Sequence, residues 1–192
     1  MNQKNAIIGV AILSMAILSI GYYFVQTRTA SFSGTSFEPA LAAPDFDLVD
    51  QYQASFRLSE KQNKIVVLYF GYTHCPDECP LSMAKMKEVF DLLNEDGSDI
   101  EVVLITTDPV RDTPEVLGDY LSKFNPVFFG LTGDEGVLRQ VYQDYGVTVL
   151  DNGETHSSRF YVVDRNGRLR LTWAYELTAS NIAADLRILS KE

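Results

Sequence analysis

Two cysteines, Cys75 and Cys79, lie in the segment FGYTHCPDECP (70–80) and are separated by three residues. An apolar run that predicts a buried strand ends where this segment begins, and an amphipathic helix is predicted from Pro80 onwards. Backbone N–H groups and the dipole at a helix N-terminus lower a thiol pKa and so favour the thiolate. Because the thiolate both attacks disulfides and binds metals, we predict that this pair is reactive or metal-binding.

A structural disulfide is the alternative interpretation of the two cysteines. In the chain-entropy model stabilisation grows with loop length, and so short a loop yields only roughly 2 kcal/mol before any strain. A pair so closely spaced at the end of a strand therefore fits reactive or metal-binding chemistry better than a stabilising cross-link.

Two thiolates need a third ligand to hold a metal ion, and the chain contains two histidines, His74 and His156. Sulfur together with imidazole selects Cu(I), which accepts three ligands, or zinc, which prefers four. His74 adjoins Cys75, so we expect its ring to point away from that thiol and to orient the loop by hydrogen bonding. His156 lies far along the chain, in the segment DNGETHSSRF, and sequence spacing alone does not bring it to the cysteines.

Two further features near the cysteines have alternative interpretations. Met83 follows Cys79 by four residues, and its thioether is a Cu(I) ligand, but a methionine on an apolar helical stripe is more typical of a core. A charged turn, DPVRD (108–112), begins at Asp108 after the next predicted strand, at the end where ligand sites of open α/β sheets lie. The turn borders the cysteine loop, or alternatively Pro109 ends the strand and Asp112 and Thr113 cap the following helix.

Alternating strand and helix patterns must position these residues. The predicted strands are 46–49, 55–58, 64–70, 101–106, 127–131, 159–163 and 168–173, and the predicted helices are 80–93, one that begins at 114, 134–145 and 178–189. The first two strands form a hairpin, and the last two flank an Asn-Gly turn. Parallel strands joined by helices and followed by an antiparallel pair indicate a three-layer α/β domain with a mixed sheet.

The N-terminal region predicts a membrane anchor. Residues 6–25 are uncharged and almost entirely apolar, and twenty helical residues span roughly 30 Å, the thickness of a bilayer core. A cleaved signal peptide is the alternative. We therefore expect a short cytoplasmic end (1–5), a single-pass transmembrane anchor (6–25) in a bacterial inner membrane, a flexible tether (26–43) and one periplasmic domain (44–192).

The composition excludes several classes of protein. The chain has 192 residues and a net charge of −10, which disfavours nucleic-acid binding because that requires clustered Lys and Arg. Two cysteines are too few for a disulfide-rich scaffold or for zinc modules built on three or four cysteines.

The chain resembles the Sco/SenC family of copper-binding proteins that serve cytochrome c oxidase assembly. The resemblance runs from Pro44 to the last helix, and its motifs are GYTHCPDECP (71–80), TTDPVRDTPEVL (106–117), FFGLTG (128–133) and THSSRFYVVDRNG (155–167). It implies a thioredoxin-like fold with an extra N-terminal β-hairpin, an N-terminal anchor, and a copper site made of Cys75, Cys79 and His156. The first hairpin turn, DQYQA, departs from the family in lacking a glycine.

The resemblance implies a metallochaperone rather than an enzyme. Such a protein binds one copper ion per chain, as Cu(I) or Cu(II), and delivers it to the CuA centre in a subunit of cytochrome c oxidase. The alternative is a thiol–disulfide oxidoreductase that uses Cys75 and Cys79 as its catalytic pair. It would reduce cysteines of the oxidase or of another periplasmic copper chaperone, and it would need a thiol reductant to be regenerated.

Overall fold

The computed structural model describes residues 15, 19, 31–150, 155–156 and 158–192. The elements given below all belong to the unit Phe32–Glu192. The predicted anchor (6–25) lies outside the described residues except for Met15 and Ser19. Among the residues that the structure describes, no helix has the length and apolar character needed to cross a membrane.

A mixed six-stranded sheet forms the centre of the domain. Its strands, in spatial order, are β1 (Thr35–Ala42), β10 (Arg168–Ala174), β9 (Arg159–Val163), β4 (Ile65–Gly71), β5 (Ile100–Thr106) and β6 (Phe129–Leu131). β4, β5 and β6 are parallel, whereas β9 pairs antiparallel with both β4 and β10. The predicted mixed sheet is therefore confirmed. β4 is buried at every position, as its apolar sequence predicts.

Helices cover both faces of this sheet. They are α1 (Glu78–Leu93), α2 (Pro114–Ser122), α3 (Glu135–Asp144) and α4 (Ala179–Leu189). α1, α2 and α4 contribute to the core cluster on one face, and α3 contributes to the cluster on the other. The side chains of Thr113, Asp134 and Thr178 accept N–H groups of the first turns of α2, α3 and α4. The predicted three-layer arrangement is therefore confirmed.

A separate hairpin lies on the same face as α3. Its strands are β2 (Asp47–Val49) and β3 (Ser55–Arg57), and Leu48 and Phe56 are buried in that core cluster. The Gln51 side chain holds the hairpin turn to the edge of the large sheet, because its amide donates to the Phe128 carbonyl and accepts from Gly130 N–H. The predicted N-terminal hairpin is confirmed, and its turn forms without a glycine.

The prediction of a flexible tether as far as residue 43 is wrong for residues 35–42, which form the edge strand β1. The buried carboxylate of Asp185 in α4 accepts the N–H groups of Ser33 and Gly34, at 2.8 and 2.9 Å, and also the indole N–H of Trp173. Gly34 approaches Trp173 so closely that a Cβ there would lie 2.5 Å from the ring. The packed domain therefore begins before the strand, at about residue 32.

The register of β4 and β5 determines where the predicted site residues lie. Gly71, the last residue of β4, pairs with Thr106, the last residue of β5, and Thr107 N–H donates to the Gly71 carbonyl at 2.8 Å. The cysteine loop leaves β4 at the same edge of the sheet where the turn 108–112 leaves β5. The parallel pairing thus brings these two segments together.

Candidate metal centre

The two cysteines lie at the junction between β4 and α1. Cys79 is in the first turn of α1 and Cys75 precedes the helix, and both are free thiols. The Cys79 N–H donates to the Cys75 sulfur at 3.4 Å. An amide of the helix N-terminus therefore points at the first sulfur, as the sequence predicts, and holds it beside the second cysteine.

The two thiols differ in exposure. Cys75 is partly exposed, whereas Cys79 is 0% exposed. Burial raises the pKa of the Cys79 thiol, because a low-dielectric surrounding disfavours the thiolate, and a backbone hydrogen bond to Tyr72 opposes this only in part. The prediction of a lowered thiol pKa is therefore wrong for Cys79, where desolvation outweighs the hydrogen bonds that favour the thiolate.

Gly71 leaves room for the buried sulfur. A Cβ at this position would lie 2.8 Å from Cys79 Sγ and equally close to the Tyr69 ring. A glycine at the end of β4 is thus required by close packing against Cys79 and not by backbone conformation.

Two tyrosines surround the cysteines, and the sequence did not mark either as part of the site. The hydroxyl of Tyr69, in β4, donates to Cys79 Sγ at 3.9 Å. The hydroxyl of Tyr120, in α2, is buried without a hydrogen-bond partner among the described residues. Burial raises the pKa of Tyr120, and the neighbouring Cys79 and Cys75 raise it further. Both tyrosines fit the apolar pattern of the strand or helix that carries them. The sequence therefore does not distinguish them from ordinary core residues.

The turn after β5 anchors the cysteine loop through Asp112. This fully buried carboxylate accepts the Thr73 N–H at 3.1 Å, the Thr73 hydroxyl at 2.6 Å and the Thr106 hydroxyl at 2.7 Å. Thr113, the next residue, caps α2. The turn therefore borders the cysteine loop, and Thr113 alone caps the following helix, because the Asp112 carboxylate accepts from Thr73 and Thr106 instead.

His74 and Asp108 complete this anchor. His74 Nδ1 lies 3.0 Å from the Thr73 hydroxyl and 3.8 Å from Asp112, and its side chain is half exposed. Asp108 is buried, and its carboxylate accepts from Arg111. Potential ligand atoms of His74, Asp108 and Asp112 lie within 4.8 Å of one another. Since both carboxylates already have strong donors, this group fits an anchor for the loop better than a metal site.

Met83 lies in the core. Its side chain is 0% exposed and packs in the cluster formed by α1, α2, α4 and the sheet. The apolar stripe of α1 therefore accounts for this methionine, as the core interpretation predicts.

His156 lies on a small two-stranded sheet outside the main one. Its strands are β7 (Val149–Leu150) and β8 (Thr155–His156), and the His156 backbone pairs with Val149. Just beyond β8, the Ser158 hydroxyl donates to the carboxylate of Glu78, the first residue of α1. The tertiary structure thus holds the chain two residues after His156 against the helix that carries Cys79.

Comparisons with known proteins show the family and the fold to which this chain belongs. Residues 34–191 match the family described as SCO1/SenC. A SCO2-like protein of Rickettsia felis is 35% identical over 184 residues, which are 88% of this chain and 90% of the relative. The structure of Bradyrhizobium japonicum ScoI with copper bound is 32% identical, with a TM-score of 0.71 over 77% of this chain and 98% of that one.

A second structure, yeast Sco1 with copper bound, is 29% identical, with a TM-score of 0.70 over 80% of this chain and 90% of that one. Both of these proteins share the α/β architecture described above. The predicted thioredoxin-like fold with a mixed sheet is therefore confirmed.

Proposed function

Because the chain belongs to the SCO1/SenC family, we propose that it is a copper chaperone that delivers copper to the CuA centre during cytochrome c oxidase assembly. One observation carries the proposal: the Cys79 N–H donates to the Cys75 sulfur, so two free thiols meet at one point beside a helix N-terminus. Relatives with this architecture have been solved with copper bound. Copper is the cargo of the protein, and the cysteine pair is the receiving site.

We assign Cys75, Cys79 and His156 as the ligands of one copper ion. Two sulfurs suit Cu(I), and an imidazole added to them allows Cu(II) to be held as well. The contact between Ser158 and Glu78 supports the third ligand, because it keeps the segment that follows His156 at the start of α1. Met83 is not assigned, since it lies in the core.

The difference in exposure between the two sulfurs sets the order of transfer. Cys75 is accessible from solvent, so an incoming ligand of the CuA-bearing subunit replaces it first, while the buried Cys79 retains the ion. Transfer by ligand exchange requires both cysteines to be reduced beforehand. A thiol reductant, and another periplasmic copper chaperone that supplies the ion, are the further partners that this scheme requires.

We place the domain in the periplasm of a bacterial cell, tethered to the inner membrane by residues 6–25. The support for this location is the sequence alone: an uncharged apolar run long enough to span the bilayer core. The acidic balance of the chain also suits an aqueous compartment without a nucleic-acid partner.

X-ray absorption on the reduced, copper-loaded full-length chain tests the ligand assignment. We expect two sulfur ligands and one nitrogen ligand at one copper per chain. Cys75→Ser and Cys79→Ser should each abolish tight binding, whereas Met83→Leu, a control that keeps the core volume, should bind like the wild type. Stoichiometric copper retained by both cysteine variants would refute the three-ligand site.

The same two cysteines also suit a thiol–disulfide oxidoreductase, because a partly exposed thiol lies beside a buried one. The Cys75 thiolate would attack a disulfide of the oxidase or of a copper chaperone, forming a mixed disulfide and releasing one target thiolate. Cys79 would then attack the Cys75 sulfur and release the second target thiol. The target gains two electrons, the Cys75–Cys79 pair becomes a disulfide, and a thiol reductant restores it.

His156→Ala separates the two functions, since thiol exchange does not need the histidine. In cells, a loss of oxidase assembly that added copper partly restores supports copper delivery. Normal assembly in His156→Ala, with loss only in the cysteine variants, supports thiol exchange instead.

A further inference from the structure

A polar contact links the helix of the cysteines to the segment of the histidine. The Ser158 hydroxyl donates to the carboxylate of Glu78, which is 80 residues away in sequence. Glu78 lies between Cys75 and Cys79, and Ser158 lies two residues after His156. The contact therefore joins the two parts of the chain that together supply the assigned ligands.

We propose that the Ser158–Glu78 pair positions His156 for binding copper together with Cys75 and Cys79. This inference rests on the function proposed above, and it assigns to the pair a positioning role and not a ligand role. Two residues of extended chain span at most about 7 Å, and adjacent Cα atoms are about 3.8 Å apart. Fixing Ser158 on Glu78 thus confines the His156 backbone to the neighbourhood of Cys79.

Phe160, which follows the histidine segment, fixes the direction in which the chain leaves that segment. Phe160, in β9, is fully buried and pairs with Tyr69 of β4, and the two ring centroids are 4.9 Å apart. Tyr69 in turn donates its hydroxyl to Cys79 Sγ. The start of β9 therefore already runs beside the strand that leads to the cysteines, and Ser158 extends this contact towards His156.

Ser158 also interacts with Tyr69. The Ser158 side chain forms a hydrogen bond with the Tyr69 side chain. One hydroxyl thus lies between the Glu78 carboxylate and the tyrosine that contacts the Cys79 sulfur. Through Ser158, the histidine segment is connected both to the first turn of α1 and to the wall of the cysteine site.

The remaining described support of His156 is weak by comparison. β7 and β8 are two residues long each and pair only with one another. An isolated two-stranded hairpin is marginally stable at best. Val149 of β7, the backbone partner of His156, packs against the core cluster on the α3 face, so this sheet ties the segment to the other side of the domain. Among the described residues, Ser158 is the contact that ties the histidine segment to the helix of the cysteines.

Copper binding by Ser158→Ala and Glu78→Ala tests the pair. Loss of a residue that orients a metal ligand typically lowers metal affinity by roughly 10- to 100-fold, and we expect this loss in both variants. X-ray absorption should show both sulfurs retained and the nitrogen contribution reduced. Because the two residues act through one contact, the double variant should bind no more weakly than either single variant.

Conservative variants distinguish positioning from general structure. Ser158→Thr keeps the hydroxyl and Glu78→Gln keeps an acceptor oxygen, so both should retain the nitrogen ligand. Asp77→Ala is the matched control for charge, because it removes the neighbouring carboxylate, which makes no capping hydrogen bond. Ser122→Ala is the control for loss of a hydroxyl, since Ser122 bonds the Asp119 carbonyl at the end of α2.

Two different results separate this inference from the function on which it rests. Wild-type nitrogen ligation and affinity in both Ser158→Ala and Glu78→Ala would overturn the positioning role while leaving the ligand set intact. A wild-type copper site without a histidine nitrogen, or full affinity in His156→Ala, would overturn the ligand set and the positioning role with it. Thermal unfolding of each apo variant identifies any variant that does not fold. If one of the two fails to fold, copper binding by the variant of the other residue tests the positioning role.

Discussion

The cysteine loop and the histidine segment are supported in different ways. The loop leaves a fully buried central strand, enters a long helix, and is held in between by the buried carboxylate of Asp112. The histidine segment lies on the small β7–β8 sheet, and the Ser158–Glu78 pair ties it to the helix. The sulfur half of the proposed site is therefore part of the core, whereas the proposed nitrogen half is attached to it.

Because of this difference, domain stability and copper binding should respond differently to changes in the two regions. Changes at the supports of the cysteine loop should destabilise the domain and weaken the site together. Changes in the histidine segment should affect the site while leaving the fold almost unchanged. The predictions below test this separation.

Asp112→Ala should have the largest effect on stability. It leaves the Thr73 N–H, the Thr73 hydroxyl and the Thr106 hydroxyl without their acceptor in a buried environment, which costs about 3 kcal/mol. Denaturant unfolding of the apo protein measures this loss. Asp134→Ala, which removes an exposed cap of α3, is the control and should cost about 1 kcal/mol. Equal effects of the two substitutions would contradict the anchoring role of Asp112.

Gly71→Ala should have the next largest effect. The added methyl group would lie 2.8 Å from Cys79 Sγ, and overpacking of this kind costs about 2 kcal/mol. We also expect weaker copper binding, because the buried sulfur has to move. Gly118→Ala in α2 is the control, since its methyl group would be 3.4 Å from the nearest atom and should not destabilise the domain. Wild-type stability and copper affinity in Gly71→Ala would show that the sulfur has room to move.

The two thiols of the cysteine loop, Cys75 and Cys79, should react with iodoacetamide at different rates. At neutral pH Cys75 should be alkylated at least about tenfold faster than Cys79, because Cys75 is partly exposed whereas Cys79 is buried, and thiolates are the reactive form. Burial holds the pKa of Cys79 above the ordinary cysteine value of about 8.5. Raising the pH to that value should therefore leave Cys79 mostly unreactive. Mass spectrometry of peptides measures both rates, and similar rates would refute the asymmetry.

His156→Ala should have the smallest effect on the stability of the apo protein. We expect a change within about 0.5 kcal/mol, because β8 pairs with β7 and not with the six-stranded sheet. The same variant should lose much of its copper affinity. A destabilisation as large as that of Asp112→Ala would show that the histidine segment belongs to the core after all.

Most of the fold was predictable because its elements have strong local patterns. The apolar run of β4, the Thr113-Pro114 start of α2 and the Asn-Gly turn between β9 and β10 each indicate one structure. The edge strand β1 was missed because its residues, TSFEPALA, are mostly exposed and show no apolar alternation. An edge strand that buries little leaves little trace in hydrophobic periodicity.

The candidate site was predictable in its residue types but not in its contacts. Cys75 and Cys79 stand out by their spacing and position before a helix, and the structure brings them together. The burial of Cys79 was not predictable, because it depends on Gly71 and Tyr69 of the preceding strand packing against the sulfur. For this reason the direction of its pKa shift was also predicted wrongly.

The sequence alone determined which groups can bind a soft metal ion and which segments form the sheet and helices, since both follow from residue type and short-range periodicity. The tertiary structure decided that Asp112 bonds Thr73 across 39 residues and that Ser158 bonds Glu78 across 80. Local patterns carry no information on such pairs, because chain topology and strand register bring them together. The tertiary structure also determined how deeply each thiol is buried, since burial depends on the packing of the whole domain.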